Sequence, residues 1–328
     1  MKFKAYRINK SDRGITAGFT QMAINELTAG EVVIKVEYSC INYKDALAAT
    51  GSAPILRSYP LNGGIDLAGI VFQSAHEDYK EGDAVLVNGQ GLSETMDGGY
   101  AEYARVQARN IVRIPKAMDA YEVMAIGTAG FTAALAYERM EKMGQSPDMG
   151  PIVVTGASGG VGSFAVDLFA SKGFEIVAVT GKSDQHSYLR SLGASSFLSR
   201  EDTLPSQAPL AKAVWGGAVD NLGGGALTWL TQTTKPWGCI ASIGLASSFK
   251  LNTTVMPFIL RGISLLGINS IEMSQAWRTR LWNRISEDLK FSHLEKIVQT
   301  TIEFDELPGA FDSFISSEII GRTVVKIA

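Results

Sequence analysis

The chain has 328 residues, of which 46% are hydrophobic and 19% charged, and its net charge at pH 7 is -3. This composition is typical of a soluble α/β protein of two domains, and the slightly acidic balance gives no reason to expect a nucleic-acid partner. No uninterrupted apolar run reaches about 18 residues, and the charged start Met1-Lys2-Phe3-Lys4 is unlike a signal peptide. We therefore expect a cytoplasmic protein with no membrane partner.

The cysteine pattern agrees with that location. Cys40 and Cys239 are far apart and form no C-x-x-C pair. Two isolated cysteines fit buried thiols in a reducing compartment better than a disulfide framework.

Short strands separated by glycine turns predict a β-rich, barrel-like domain in residues 1–118. The predicted strands cover residues 31–41, 65–74, 84–87 and 100–114. After residue 118 the pattern changes to two helices, 119–127 and 131–143, and Asp119 with Glu122 has the spacing of a capping box.

From Pro151 onward, strands alternate with helices, which predicts a doubly wound parallel sheet. The last strand, helix and strand, at 297–302, 304–316 and 322–327, are expected to return to the first domain. We predict a β-rich domain of residues 1–118 and 294–328, and a Rossmann-type dinucleotide-binding domain of residues 119–293.

A strand, a glycine-dense turn and a helix follow one another from Pro151. Within them Ala157, Gly159 and Gly162 form an A-x-G-x-x-G motif. This arrangement directs backbone N–H groups and a helix N-terminus at a pyrophosphate, although a purely structural turn also favours glycine. The strand predicted at 174–180 completes a unit of the required length. The predicted phosphate-binding residues are Ser158, Gly159, Gly160 and Val161.

The end of this second strand indicates which cofactor binds. An NAD site calls for Asp or Glu here, but the chain has Thr180, Gly181 and Lys182. Arg200 follows the next short strand and would lie on the same side of the sheet. Two cations suit a 2′-phosphate, so we predict NADPH. The alternative is that Lys182 and Arg200 are ordinary solvated cations.

Five stretches resemble the YhdH/YhfP family of the medium-chain dehydrogenase/reductase superfamily. They are residues 41–45, 64–69, 127–133, 154–162 and 254–261. The resemblance covers nearly the whole chain and implies a Rossmann-type domain with a discontinuous GroES-like domain. It also implies an oxidoreductase that is either an NADPH-dependent acryloyl-CoA reductase or a quinone oxidoreductase.

The resemblance extends to further site residues and to assembly. Thr128, Gly244 and Leu245 would lie near the nicotinamide, and Asn269 would reach the same end of the cofactor. We count Arg322 among the cofactor-binding residues as well. In related folds the last sheet strand pairs with its copy in a second subunit, which implies a homodimer.

The zinc-dependent branch of the superfamily carries a Cys, a His-Glu pair and a four-Cys lobe. The corresponding positions here are 42–45 and 64–66, which hold neither Cys nor His, and the three histidines have no ligand spacing. We therefore predict no zinc. Reduction of an activated C=C needs no Lewis acid, because its β carbon is already electrophilic.

The predicted mechanism delivers hydride to Cβ, holds charge on the carbonyl oxygen and adds a proton to Cα. We predict Asn42 and Tyr43 as catalytic donors and Asp66 as the residue that orients donors or Lys44. Alternatives remain for each: Asn42 as a turn residue, Tyr43 as a packing aromatic, and Asp66 in a structural salt bridge. Since a phenol is a reluctant acid at pH 7, water is a rival proton donor. Asp45 is predicted to cap a turn at 46–49.

The residues leave the substrate open. A CoA thioester would need rim cations, for which Lys44, Arg57, Arg261, Arg278, Arg280 and Arg322 are candidates. A quinone would need an aromatic slot, for which Tyr43, Tyr59, Phe258 and Trp277 are candidates. The family favours a small enoyl thioester such as acryloyl-CoA. Quinone reduction is the alternative, followed by an NADPH-binding sensor with little turnover.

Overall fold

The computed structural model describes residues 2–328, which form two compact units. The first unit runs to Thr128 and includes Ser270–Ser286 and Val298–Ala328. The second comprises Ala129–Asn269 and Glu287–Ile297. Residues 119–128 and 270–286 thus belong to the first unit. Our predicted domain boundaries at 118 and 294 remain predictions.

The first unit contains two sheets, one of three strands and one of seven. Their order is β2-β1-β4 in the small sheet and β15-β16-β3-β5-β6-β8 in the large one, with β7 paired to β3. In chain order the strands are β1 Lys2–Ser11, β2 Gly14–Ala23, β3 Val32–Ile41, β4 Leu61–Asn62, β5 Asp66–Ser74, β6 Ala84–Asn88, β7 Tyr103–Val106 and β8 Val112–Arg113, and later β15 Val298–Glu303 and β16 Arg322–Lys326.

Alternating side chains of β3 form the centre of this unit's core. Val32, Ile34 and Val36 are fully buried, whereas Lys35 between them is exposed. This is the two-residue period expected of a strand with one face on the core. The single strand predicted at 100–114 is wrong, because a turn at Ala108–Asn110 separates β7 from β8.

The second unit is built on one six-stranded parallel sheet, in the order β11-β10-β9-β12-β13-β14. The predicted doubly wound α/β fold with a separate β-rich body is thereby confirmed. Strand order reverses between β9 and β12, the place where such sheets open a ligand crevice at their carboxyl ends. The strands are β9 Ile152–Thr155, β10 Ile176–Val179, β11 Ala194–Leu198, β12 Gly217–Asp220, β13 Cys239–Ser242 and β14 Ser264–Gly267.

The helices are α1 Tyr43–Thr50, α2 Ala120–Lys142, α3 Gly160–Ser171, α4 His186–Ser191, α5 Gly224–Thr233, α6 Met256–Arg261, α7 Gln275–Ser286, α8 Leu294–Ile297 and α9 Leu307–Ile315. The two helices predicted at 119–127 and 131–143 form α2, which is interrupted by non-helical backbone at Gly127. The predicted capping box is present, since Glu122 N donates to Asp119 and Asp119 N to Glu122. Within residues 2–328 no helix is long and apolar enough to cross a membrane.

Candidate active site

Three strand ends of the first unit meet around Asp66. Strand β3 runs antiparallel to both β5 and β16, and its last residue, Ile41, is paired with Thr323. Antiparallel pairing brings the end of one strand beside the start of its neighbour. Asp66 and Arg322, the first residues of β5 and β16, therefore lie near the end of β3. We call this group the Asp66 cluster; it comprises Cys40, Asn42, Asp45, Asp66, Gly127, Thr128 and Arg322.

The Asp66 carboxylate accepts four hydrogen bonds. Oδ1 accepts from the Thr128 hydroxyl at 2.6 Å. Oδ2 accepts from Thr128 N at 2.9 Å, Asn42 Nδ2 at 2.9 Å and Cys40 Sγ at 3.1 Å. Asp66 is fully buried, and four donors match the capacity of an ionised carboxylate. Asp66 thus contacts neighbouring donors, whereas Lys44 pairs with Glu94; the predicted orienting role of Asp66 stays a prediction.

The Asn42 side chain uses all its amide hydrogens inside the cluster. Nδ2 donates to Asp66 at 2.9 Å and to Asp45 Oδ2 at 3.1 Å, and Oδ1 accepts from Arg322 Nη1 at 3.1 Å. The opposite amide orientation would set an oxygen against two carboxylates, so these charges fix the rotamer. No amide hydrogen remains to bind a substrate oxygen. The predicted catalytic role of Asn42 stays a prediction, and this geometry favours a positioning role.

Asp45 anchors Asn42 and is not the helix cap that the sequence predicted. The N-cap of α1 is Asn42, whose backbone N–H donates to Asp45 Oδ2 at 2.9 Å. Asp45 Oδ1 accepts from Ile65 N at 2.9 Å. The chain enters the helix three residues earlier than expected, so Asp45 occupies the first turn and reaches back to the cap. Burial raises the pKa of Asp45 to about 7.

Arg322 is buried and directs its guanidinium into the same cluster. Its Nε donates to Ala125 O at 3.1 Å, and its Nη1 donates to Ile41 O at 3.2 Å. Nη2 is buried and has no hydrogen-bond partner among residues 2–328. A buried guanidinium N–H without an acceptor is costly unless a ligand completes it. That atom fits the predicted cofactor-binding role of Arg322, which remains a prediction.

Gly127 makes room for this arrangement. Its backbone has φ 50° and ψ -158°, a conformation that residues with a Cβ rarely adopt. A Cβ at this position would lie 2.7 Å from Arg322 Nη2, 2.8 Å from Cys40 Sγ and 3.0 Å from Asp66 Oδ2. The interruption of α2 therefore presents Thr128 to Asp66 without displacing the buried charges.

Tyr43 differs from the rest of the predicted catalytic set because it is accessible. It is the first residue of α1, and its side chain is 46% exposed. Asn42 and Thr128 already donate to carboxylates of the cluster. Among Asn42, Tyr43 and Asp66, Tyr43 has the exposed side chain, and its catalytic role stays a prediction.

The dinucleotide motif of the second unit forms the predicted strand, turn and helix. Gly159 is the N-cap of α3, and among the described residues no side chain caps this helix start. A Cβ on Gly162 would lie 2.2 Å from the carbonyl oxygen of Gly156, so close packing requires glycine there. The N–H groups of Gly160 and Val161 lie in the first turn of α3, whose positive dipole end suits a phosphate.

Beside this turn, a cavity of about 390 Å³ contains the predicted 2′-phosphate residues. Thr180, Gly181, Lys182 and Arg200 all line it. A Cβ on Gly181 would lie 3.1 Å from Arg200 Nε, so the missing side chain lets the guanidinium pack over the backbone. The Ser158 and Thr180 hydroxyls are 3.4 Å apart, which connects the cavity wall to the glycine turn.

The other predicted cofactor residues follow further strands of the same parallel sheet. Gly244 and the exposed Leu245 come after β13, and the exposed Asn269 comes after β14. A Cβ on Gly244 would lie 2.3 Å from the carbonyl oxygen of Asn221. Because the carboxyl ends of parallel strands share one edge, these residues lie on the edge that carries the glycine turn.

Several residues of these sites were missed by the sequence analysis. His186 and Phe197 line the cavity with stacked rings 4.0 Å apart, and Glu201 adds a carboxylate to it. At the switch point, Asp220 accepts from the Thr155 hydroxyl at 2.7 Å and from Gly223 N at 2.9 Å. Asp220 could have been predicted from its position at the end of a strand. A single sequence gives no sign that two rings stack.

Within residues 2–328, no group of three or more His, Cys, Asp and Glu side chains is placed to hold a metal ion. Cys40, the thiol within the Asp66 cluster, donates to Asp66, and burial raises its pKa well above the usual range.

Two family models match the chain. Residues 28–116 match the alcohol dehydrogenase GroES-like domain, and residues 160–287 match the zinc-binding dehydrogenase model. A Ruegeria pomeroyi acrylyl-CoA reductase, AcuI, is 39% identical over 99% of both chains. Bacillus subtilis YhfP, named for a proposed quinone oxidoreductase activity, is 41% identical over 99% of both.

Solved structures agree with these relatives. The yhdH oxidoreductase from Salmonella enterica in complex with NADP is 41% identical, with a TM-score of 0.96, 99% of this chain and 100% of that chain covered. YHDH from Escherichia coli K-12 with bound NADPH is 42% identical, with a TM-score of 0.95, and 99% of this chain and 100% of that chain are covered. B. subtilis yhfP with NAD bound is 41% identical, with a TM-score of 0.95, and both chains are fully covered. The chain is therefore an oxidoreductase of the medium-chain dehydrogenase/reductase superfamily and belongs to its YhdH/YhfP family.

Proposed function

We propose that this protein reduces the activated C=C bond of a small enoyl thioester such as acryloyl-CoA, with NADPH as reductant. The observation that carries the substrate class is the full-length similarity to an enzyme named acrylyl-CoA reductase. The geometry supports the same chemistry, since a buried charged cluster in one unit and a cation-lined cavity in the other suit an oxidoreductase that uses a phosphorylated cofactor.

The second unit contains groups that fit NADPH. The N–H groups at the start of α3 would hold the pyrophosphate, and Lys182 and Arg200 would hold the 2′-phosphate. Glu201 also lines the cavity, but two cations outnumber it. Because related structures contain NADP, NADPH or NAD, the preference for NADPH rests on these two side chains.

Bound NADPH would supply the hydride that reduces Cβ. The first unit would stabilise the negative charge that then develops on the thioester carbonyl oxygen. Asn42 and Thr128 donate to carboxylates, so we assign donation to this oxygen to the Tyr43 hydroxyl. Asp66 and Arg322 would keep the surrounding backbone rigid, and water or Tyr43 would protonate Cα.

The rim cations considered for CoA are not equally available. Arg261 donates to Gln232 O at 2.7 Å, and the buried Arg278 donates to Asn88 O at 2.9 Å. Lys44 pairs with Glu94, whereas Arg57 is exposed. Arg280 is also exposed and Arg322 is buried, so Arg57 and Arg280 are the cations we propose for a CoA phosphate.

Quinone reduction is the second candidate, favoured by the name of YhfP and by the exposed Tyr43. The structure gives less support than the sequence does for an aromatic slot that could stack on a quinone. Phe258 packs against the core cluster of the second unit that includes Trp229 and Leu230. An aromatic side chain used in the core is less available to stack on a quinone.

The function is tested by NADPH oxidation in chelator-treated protein with acryloyl-CoA, with 1,4-benzoquinone and without an acceptor. We expect the thioester to be reduced fastest, and chelation to have no effect on the rate. Faster turnover with the quinone would favour the second candidate. No acceleration by either acceptor would favour an NADPH-binding sensor, and loss of activity on chelation would contradict metal independence.

Replacing both Lys182 and Arg200 with alanine is expected to weaken NADPH binding by about 100-fold or more and to leave NADH binding nearly unchanged. The reason is that two charge-assisted contacts to the 2′-phosphate disappear, each of about 1.5–3 kcal/mol. The measurement is fluorescence titration of both cofactors. Lys142→Ala, which removes an exposed cation paired with Glu138, is the control. Equal losses for both cofactors would contradict the 2′-phosphate assignment.

We also propose a homodimer formed along the edge strand β14. Exposed apolar side chains lie near this edge, including Trp237 at 74%, Ile259 at 72% and Leu260 at 63% exposure. Trp237 N donates to Arg261 O at 2.8 Å, which places the indole beside α6. An unpaired strand edge beside apolar surface is suited to pairing with a second copy.

The variant Ile259→Lys is expected to convert the dimer into a monomer. A lysine ammonium buried in an apolar interface loses its hydration without gaining a partner. Light scattering coupled to size exclusion measures the change. Leu204→Lys is the matched control, because Leu204 is 69% exposed and follows β11 at the opposite edge of the sheet. A dimer that survives Ile259→Lys would exclude this interface.

A cytoplasmic location is proposed on the same grounds as before. Cys40 and Cys239 are both free and buried. Buried free thiols are typical of proteins kept in a reducing compartment.

A further inference from the structure

Asp45 is a buried carboxylate that the mechanism above does not use. It is 2% exposed, and three N–H groups point at it. Two belong to Asn42, the backbone N–H at 2.9 Å and the amide Nδ2 at 3.1 Å, and the third is Ile65 N at 2.9 Å. Asp45 thus holds both the backbone and the side chain of one residue.

The Asn42 amide connects Asp45 to the centre of the Asp66 cluster. The same Nδ2 donates to Asp66, and Oδ1 accepts from Arg322. Because Asn42 carries no charge, its orientation is set entirely by these partners. Removal of one partner frees the amide to rotate and leaves the others with unmatched hydrogen bonds.

The contacts of Asp45 require its ionised form. Both carboxylate oxygens face N–H donors, so a proton on either oxygen would point at another hydrogen. Burial acts in the opposite direction and raises the pKa of Asp45 to about 7, with a smaller contribution from the charge of Asp66. Hydrogen bonding and desolvation are therefore in conflict near neutral pH.

Other titratable groups face Asp45, and two of them stay neutral near pH 7. Cys40 and Tyr100 interact with it electrostatically, and burial raises the pKa of each well above its usual value. The Tyr100 hydroxyl donates to Cys40 O at 3.1 Å. Asp66 contributes a negative charge and Arg322 a positive one, the latter through Asn42.

We propose that Asp45 is a positioning residue whose carboxylate fixes the Asn42 amide between Asp66 and Arg322, and whose protonation releases that amide and lowers turnover. The inference rests on the proposed reductase function. Asp45 touches neither substrate nor cofactor in this account, and it acts only through Asn42.

The test compares pH profiles of kcat and kcat/KM with NADPH and acryloyl-CoA from pH 5.5 to 9. Wild-type kcat is expected to fall at least fivefold as the pH is lowered, with an apparent pKa near 7. We call this fall the acid limb of the profile. Asp45→Asn is expected to be about tenfold slower at pH 8.5 and to lack that acid limb. Asp97→Asn, which removes another buried carboxylate that accepts from Asn62 N and Thr28 N, should retain the limb.

A second measurement needs no turnover and separates this inference from the reductase proposal. The raised pKa means that the folded protein binds a proton more tightly than the unfolded chain does. The stability associated with Asp45 is therefore present at low pH and lost as pH rises through about 7. The Tm of the wild type minus that of Asp45→Asn should fall between pH 5 and pH 8.5.

The inference is overturned by a wild-type profile without an acid limb, by an unchanged limb in Asp45→Asn, or by a Tm difference that does not depend on pH. Where Asp45→Asn does not fold, a wild-type profile without the acid limb still overturns the inference. If no activated alkene is turned over, the reductase proposal fails, and the Tm comparison still tests the titration of Asp45.

Discussion

Gly127→Ala is expected to lower kcat by about 100-fold or more and to reduce the free energy of unfolding by about 2–6 kcal/mol. Two costs add. The backbone at φ 50° and ψ -158° is strained for any residue with a side chain, and the new methyl group would lie 2.7 Å from Arg322 Nη2 and 2.8 Å from Cys40 Sγ. Relief would move Thr128 away from Asp66.

Steady-state kinetics and denaturant unfolding measure the two effects. Gly18→Ala in β2 is the control, since Gly18 has a permissive φ and a methyl group added there would have no heavy atom within 4 Å. That variant should keep wild-type activity and nearly wild-type stability. If Gly127→Ala behaved like Gly18→Ala, the close packing of the Asp66 cluster would have no functional importance.

Asp66→Asn is expected to lower kcat/KM by about 100-fold and to destabilise the fold by about 1–3 kcal/mol. The wild-type carboxylate accepts from both the backbone N–H and the hydroxyl of Thr128, and from Asn42 and Cys40. An amide has one acceptor oxygen, so in either orientation its NH₂ group faces a donor. The buried guanidinium of Arg322 would also lose a nearby negative charge.

Asp97→Asn distinguishes a catalytic effect from simple destabilisation. Asp97 is fully buried and accepts from Asn62 N at 2.9 Å and from Arg7 Nη1 at 3.0 Å. Its replacement should reduce stability by a similar amount while kcat stays within about twofold of the wild type, because these two partners lie outside the Asp66 cluster. Equal loss of kcat in both variants would assign Asp66 a purely structural role.

The second unit was largely predictable from sequence because its signals are local. Alternating strands and helices indicate a parallel sheet, and the carboxyl ends of such strands share one edge. Lys182 and Arg200 each follow a strand, so topology alone predicted that both would lie at the same edge of the sheet. The structure has both lining one cavity.

The Asp66 cluster was less predictable because its contacts join residues far apart in sequence. Asn42 and Asp66 were recognised from their motifs, but the amide orientation depends on Arg322, 280 positions away. The conformation of Gly127 also leaves no signal, since glycine in a helical pattern is compatible with many backbone angles. Asp45 was misassigned because a cap and a first-turn acceptor have the same residue preference.

The proposed chemistry is tested most directly by isotope transfer. Acryloyl-CoA would be reduced with NADPH that carries deuterium at the transferable position of the nicotinamide, in ordinary water, and the product analysed by mass spectrometry and NMR. We expect propanoyl-CoA with one deuterium on the β carbon and a solvent proton on the α carbon. Deuterium on the α carbon, or no saturated thioester at all, would contradict hydride reduction of an enoyl thioester.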